Sequence, residues 1–287
     1  METRLEQLLA EHRYQTVLQV TEAFFADPLA PAEEAALHAL YAARAAGRLE
    51  RYVTAVAWAE RGLTAGPTDP WVEGMLHLTL GTVLIYSGDI QRAERSLCRF
   101  LEMVLAHEGL LAYRPLALHN MAFIHRASRR FDQEIALFCE AANAYQECGD
   151  LSGVRSCRLE LAWHHLSREN AEAATPHLAA VLASEAPMKA DGELNLQVAI
   201  AWHKFLTGQT AEAEADALAL LEQEGVGAWI RADVEWLLGK HALAQGDAPR
   251  AAKWAALASR HAAEAWLPAQ MERAALLQRE IAQYQSA

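Results

Sequence analysis

The sequence predicts an all-α fold, a right-handed superhelical solenoid in which antiparallel helix pairs stack one on the next. The first observation is a short phrase that recurs about every 40 residues, in copies that begin at Gly88, Glu169, Gly208 and Gly246. Weaker copies begin at Gly47 and Arg129. The second observation is a small residue or Leu seven positions before each of the six copies, at Leu40, Gly81, Ala122, Ala162, Ala201 and Gly239. A fixed period in this range is typical of stacked supersecondary units. The third is that no run alternates apolar and polar residues as a half-buried strand would.

The period divides the chain into about seven helix pairs and a capping helix. We expect a single solenoid domain over 1–287, because each unit of such an array packs only on its neighbours. The predicted pairs occupy 2–28, 31–66, 71–108, 114–147, 151–186, 191–225 and 229–266, and the cap occupies 268–284. The cap is predicted because Met271, Ala274, Leu277, Ile281 and Tyr284 form one stripe of an amphipathic helix that could cover the last pair.

The pair over 71–108 shows the local pattern most clearly. Leu76, Leu80, Val83 and Leu84 recur at helical spacing after Pro70. Gly88 suits the left-handed conformation that ends a helix, and Asp89 is a favourable N-cap for the next. Gly246 and Asp247 repeat the pattern, with Pro249 in the first turn of the following helix. Pro176 falls inside a predicted second helix, which it should kink or delay.

Composition and charge exclude several classes of function. The net charge of −12 argues against a nucleic-acid partner, since binding to phosphates rests on clustered Lys and Arg. No apolar stretch is long enough for a membrane span, and no signal-peptide pattern is visible, so we expect a cytoplasmic protein. The chain has no Gly-rich phosphate loop, no GxSxG, no HExxH and no CxxC pairing. We therefore expect no enzyme activity, no cofactor and no metal site.

These repeats resemble the tetratricopeptide repeat. The family places an apolar residue and then Gly or Ala on the first helix, with Ala and a large apolar residue on the second. Leu80-Gly81 with Ala93, Leu97 and Phe100 fits this pattern best. Tyr52 and Glu134 stand where a small residue is expected, and the period exceeds the usual one of about 34 residues. Repeats that are long and degenerate in this way are similar to those in bacterial regulator and sensor domains.

The resemblance also implies a binding groove lined by the first helices. The residue after each small position would point into it, as would residues three before and four after that position. The members of these rows that we take as the candidate groove are Leu37, Tyr41, Arg44, His119, Phe123, Arg126, Trp163, Trp202, Phe205, Trp236 and Lys240. The same rows contain Thr82, Leu78, Leu159 and Val198. The groove would be aromatic and apolar, with a basic rim toward the N-terminal half.

Two questions stay open on these residues. Trp and Phe at helical spacing equally suit a packed core, in which case the aromatic row would face a neighbouring helix. The groove indicates a non-catalytic scaffold or adaptor that binds a protein or peptide partner. The alternative is a regulatory sensor that binds a small peptide or metabolite and acts through a partner protein. Homodimerisation through a terminal repeat also fits.

Overall fold

A computed structural model describes residues 4–27, 29–31, 34–188, 190–224, 226–264 and 268–286, and over these ranges the fold is all-α, as predicted. Residues 2, 3, 28, 32, 33, 225, 265 and 266 of the predicted repeats lie outside the described residues. Fifteen α-helices occur in the described ranges, and they make seven pairs and one further helix, which confirms the predicted architecture. They are α1 Arg4–Ala10, α2 Tyr14–Ala26, α3 Ala35–Arg48, α4 Tyr52–Thr64, α5 Pro70–Ser87, α6 Ile90–Ala106, α7 Arg114–Ala127, α8 Phe131–Glu147, α9 Leu151–Leu166, α10 Ala171–Leu182, α11 Ala190–Leu206, α12 Thr210–Glu222, α13 Ala228–Ala244, α14 Ala248–Glu264 and α15 Pro268–Ser286.

The helices form two compact units, Met1–Gly149 with α1–α8 and Asp150–Ala287 with α9–α15. From α3 onward the two helices of a pair contact each other more extensively than they contact other helices, whereas α2 contacts α3 more extensively than α1. In each unit the first helix of a pair also contacts the first helix of the next. The single body over 1–287 stays a prediction. Among the described residues, no helix combines the length and the apolar character needed to cross a membrane.

The turns within pairs form as the sequence predicts. Gly88 adopts a φ of 83°, and the side chain of Asp89 accepts a hydrogen bond from the N–H of Arg92 at 3.2 Å. The carboxylate of Asp247 accepts from the N–H of Arg250 at 3.0 Å in the same way. Each cap satisfies an N–H group that the first helical turn leaves without a backbone partner. Pro176 does not delay its helix, because α10 begins five residues earlier at Ala171.

A small residue on the first helix sets how closely the two helices of a pair approach. A β-carbon at Gly81 would lie 2.6 Å from Cγ of Leu97 in α6, closer than packed carbon atoms come. At Gly239 of α13 the closest neighbour belongs to the capping helix instead, because a β-carbon would lie 2.7 Å from Cδ2 of Leu277 in α15 and 3.5 Å from Cβ of Trp254 in the partner helix α14. Ala162 and Ala201 hold the equivalent places in α9 and α11, and both are fully buried. The small positions read from the sequence are therefore points of close helix packing.

Each unit has its own apolar core, and α15 covers the end of the second. Leu76, Leu97 and Phe100 are fully buried in the core of the first unit. In the second unit, Leu277 and Ile281 of α15 pack on the Ala-rich inner face of α14. The predicted stripe of the cap is correct for Ala274, Leu277 and Ile281, which are buried, and wrong for Met271 and Tyr284, which are exposed.

Replacement of Gly81 by Ala tests the close approach directly. The added methyl must displace Leu97 from a packed core, and this outweighs the better helix propensity of Ala, so Gly81→Ala should lower the free energy of unfolding by about 1–2 kcal/mol. Urea unfolding followed by circular dichroism measures the change. Gly109→Ala is the control, because a β-carbon there would lie 3.9 Å from its nearest neighbour, Cδ1 of Trp71. Equal stability of the two variants would contradict this packing.

Candidate binding surface along the first helices

Three tryptophans form a ladder across the first helices of the second unit. Trp163 of α9 and Trp202 of α11 pack edge to face with ring centroids 5.4 Å apart. Trp202 packs in the same way on Trp236 of α13, at 4.6 Å. Edge-to-face contacts at these distances are favourable because the positive ring edge meets the negative ring face. The ladder therefore fastens three successive first helices to one another.

This ladder corrects the predicted groove at its centre. Trp163 and Trp202 expose only 8% and 3% of their surface and belong to the hydrophobic core of the second unit. Leu159 and Val198 from the same rows are buried as well. The prediction that these side chains face an open groove is wrong, because successive first helices lie close enough for the residue after the small position to fill the seam between them. Of the two interpretations of the aromatic row, the core is correct for this pair.

In the first unit the seams between successive first helices are also filled by side chains, but by a tyrosine and by polar residues instead of tryptophans. Tyr41 of α3 is 2% exposed and packs in the cluster that contains Leu5, Leu8 and Val83, so its placement in the groove is also wrong. Between α5 and α7 the seam is polar. Asn120 donates from Nδ2 to Oγ1 of Thr82 at 2.8 Å, and that hydroxyl donates to the carbonyl of Leu78 at 2.8 Å. Asn120 is buried, and it serves the packing of two helices.

Two cations of the predicted groove, Arg126 and Lys240, are paired with carboxylates within the chain. Arg126 donates from Nε to Oε1 of Glu134 at 2.6 Å, and Glu134 is fully buried. The Arg126 guanidinium also lies 5.2 Å from the ring centres of Phe123 and Phe138. Glu134 is the residue that replaces a small Ala in this degenerate repeat, and Arg126 compensates its charge. Arg126 thus already has a carboxylate partner within the chain, and its predicted place in the groove stays a prediction.

Lys240 is the second neutralised cation. Its Nζ lies 3.3 Å from Oε1 of Glu169 and 3.2 Å from Oε2 of Glu280 in α15. Burial disfavours the charged form of Lys240, but the two carboxylates outweigh burial and raise its pKa. Lys240 thus ties α15 to α13, and its predicted place in the groove stays a prediction.

The remaining six predicted residues are half-buried and keep part of their surface in water. Leu37 and Arg44 lie on α3, and Arg44 has no ion pair within the part of the chain that the structure describes. His119 of α7 contacts the rings of Phe123 and Phe138, at 5.1 and 5.3 Å between centroids. Phe205 and Trp236 are the two half-buried candidates in the second unit. The ring centroids of Phe205 and His241 are 5.6 Å apart, and Cζ of Arg273 lies 5.8 Å from the ring centroid of Trp236. These residues remain candidates for contact with a partner.

The histidines make ring contacts and hydrogen bonds rather than a ligand cluster. His165 of α9 stacks on His177 of α10 at 5.5 Å, and burial, with the nearby His165 and Arg158, lowers the pKa of His177 to about 4. His203 shares a hydrogen bond of 2.8 Å with the Thr175 hydroxyl. Over the described ranges, no group of three or more His, Cys, Asp or Glu side chains is arranged to hold a metal ion.

The chain is similar in structure to a tetratricopeptide repeat protein from Parabacteroides merdae. The TM-score is 0.59 at 14% sequence identity, and the match covers 94% of this chain and 96% of that one. BtubC (BKLC) from P. vanneervenii matches with a TM-score of 0.45 at 17% identity, over 91% of this chain and 92% of that one. No protein-family model matches the chain, and no curated protein does. At this identity the first likeness shows the fold, which is of the tetratricopeptide-repeat type.

Removal of the two buried indoles should destabilise the second unit. Trp163→Ala with Trp202→Ala leaves a large cavity in the seam, and loss of one buried Trp costs about 3–5 kcal/mol. The double variant should therefore unfold at a much lower urea concentration than the wild type. Trp163→Phe with Trp202→Phe keeps a ring at each position and should lose far less. If the double Ala variant kept wild-type stability, the two indoles would lie in an open groove after all.

Removal of the Arg126 guanidinium should be costly because Glu134 would stay buried without that partner. Arg126→Met should lower the free energy of unfolding by about 1–3 kcal/mol, because Glu134 is buried and loses a charged hydrogen-bond donor, while the Arg126 side chain is 31% exposed. The double variant Arg126→Met with Glu134→Ala has the small residue that the tetratricopeptide pattern places at position 134. It should recover most of the free energy of unfolding that the single variant loses. A thermal denaturation cycle over the two single variants and the double variant measures the coupling. Additive losses would show that the pair is unimportant to the α7–α8 packing.

Proposed function

We propose that the chain is a non-catalytic scaffold or adaptor whose first-helix surface in the first unit binds a protein or peptide partner. Folds of the tetratricopeptide-repeat type generally mediate interactions between proteins, and the chain has this fold. The observation that carries the proposal is Arg44, a half-exposed cation on α3 with no ion pair among the described residues. Among the described residues, five other first-helix cations are paired with carboxylates, namely Arg114, Arg126, Arg155, Lys204 and Lys240.

The neighbouring side chains suit a partner segment of mixed chemistry. Leu37 lies seven residues before Arg44 on the same helix, and both are half-buried. His119 and Phe123 add aromatic surface on α7. Partly exposed rings bury much area with few torsions to restrict, so they make effective anchors. We infer a partner segment with apolar anchors and an acidic group that pairs with Arg44.

Charge reversal at Arg44 tests this proposal. Wild-type protein immobilised on resin should retain a partner from a lysate of the source cells, and Arg44→Glu should reduce that retention by roughly tenfold or more, since attraction becomes repulsion. Arg95→Glu is the matched control, because Arg95 is exposed on α6 and also has no ion pair in the described residues. Quantitative mass spectrometry compares the three samples.

The same samples distinguish an adaptor from a sensor. If none of the three proteins retains a macromolecule, and the melting temperature rises with short peptides or metabolites, the chain is a sensor for a small ligand. If Arg44→Glu and Arg95→Glu reduce retention equally, the partner responds to overall charge and the proposed surface is wrong. Circular dichroism melts of both variants show whether each keeps the fold.

A further inference from the structure

The connection between α6 and α7 presents an unusual concentration of exposed leucine. Leu105, Leu111 and Leu116 expose 89%, 53% and 40% of their surface, and we call them the connector patch. They come from the last turn of α6, the 3-10 helix Glu108–Tyr113 and the first turn of α7, three elements in mutual contact. The α4–α5 connection of the same unit, residues 65–69, contains no large apolar residue. Exposed leucines on three elements that contact one another are candidates for an interaction site, whereas single exposed apolar residues are common on any protein surface.

The connection is held in place by a buried residue between the exposed ones. Leu110 is fully buried and occupies a hollow above Gly74 in α5, where a β-carbon would lie 2.6 Å from Cδ1 of Leu110. The N–H of Leu110 also donates to the carbonyl of His107 at 3.0 Å. An exposed leucine on a connection fixed in this way loses little freedom on binding, so less of the binding energy is offset.

The charges around the connector patch are predominantly acidic. Arg99 is 3.4 Å from Glu102 and 3.5 Å from Glu73, and Arg114 pairs with Glu140. Glu108 is exposed three residues before Leu111 in the same 3-10 helix and has no ion-pair partner within the described ranges. These side chains comprise four carboxylates (Glu73, Glu102, Glu108 and Glu140) and two guanidiniums (Arg99 and Arg114), so carboxylates are in excess. The net charge of the whole chain is −12.

We propose that the connector patch docks a basic amphipathic helix of another protein. The leucines would receive the apolar face of that helix, and Glu102 and Glu108 would pair with Lys or Arg at the border of that face. A second copy of this chain would bring like charges together, and an anionic lipid surface would be repelled. The surface is separate from Arg44 and is independent of the function proposed above.

A designed peptide can represent the chemistry of the proposed partner. The probe is a fluorescein-labelled helical peptide of about 15 residues, with Leu on one face and Lys on the other. A second peptide with Glu in place of Lys has the same apolar face and the opposite charge. Fluorescence anisotropy at about 0.15 M salt, where surface charges are partly screened, measures both affinities. The Lys peptide should bind in a saturable way and roughly tenfold or more tightly than the Glu peptide.

Substitutions then locate the binding site. Leu105→Asp and Leu111→Asp should each weaken binding of the Lys peptide by roughly tenfold, while melts show an intact fold because both side chains are exposed. Val53→Asp is the matched control, since Val53 is an 83% exposed apolar residue on α4. Arg44→Glu should also leave this affinity unchanged, which separates the connector patch from the first-helix surface.

Several results would overturn the proposal. The first is absence of saturable binding of the Lys peptide, and the second is equal affinity for the Lys and Glu peptides. A third is that Val53→Asp weakens binding as much as Leu111→Asp does. If sedimentation instead shows a dimer that Leu111→Asp dissociates, or if the wild type but not Leu111→Asp sediments with phosphatidylcholine vesicles, the patch serves another occupant and the proposal is wrong.

Discussion

The close approach of the two helices in each pair is the constraint on which the rest of the structure depends. At Gly81 any larger side chain would collide with Leu97 of the partner helix, and at Gly239 it would collide with Leu277 of the capping helix. The buried Ala162 and Ala201 hold the equivalent places elsewhere. Because a small residue stands at each of these positions, the pairs are tight and regular. The residues that follow the small positions then reach the neighbouring pair, where they form the seams between successive first helices.

The seams decide which side chains remain for function. Trp163 and Trp202 join α9 to α11, and the Thr82–Asn120 hydrogen bond joins α5 to α7. Lys240 and Arg126 are engaged by carboxylates of the same unit. Much of the aromatic and basic character that suggested a groove is therefore used to hold the helices together. Accessible surface remains at the half-buried residues of the first helices and, among other exposed apolar residues, at the leucines of the α6–α7 connection.

The sequence predicted the fold well because the features that determine it are local. The recurring small residue, the Gly88–Asp89 turn and the stripe of Leu277 and Ile281 each depend on residues a few positions apart. The direction of Trp163 was not predictable in the same way, since it depends on the distance between two first helices that are 39 residues apart in sequence. Glu134 was recognisable in the sequence because it stands where the repeat has a small residue. Its partner Arg126, eight residues earlier, was recognisable as the nearby opposite charge. The contact between Gly74 and Leu110 had no signal in the sequence. It joins α5 to the 3-10 helix Glu108–Tyr113, which lies outside the recurring pattern of helix pairs.

The central claim is that the aromatic row belongs to the seams between first helices. Its most direct test is the solvent exposure of individual indoles, measured by fluorine NMR on protein in which the eight tryptophans carry a 5-fluoro group. Single Trp→Phe substitutions assign the resonances, and a soluble paramagnetic probe broadens those that water can reach. The resonances of Trp163 and Trp202 should resist broadening, while those of the half-buried Trp71 and Trp254 broaden. Broadening of Trp163 and Trp202 to the same extent as Trp71 and Trp254 would contradict the seam and restore the groove.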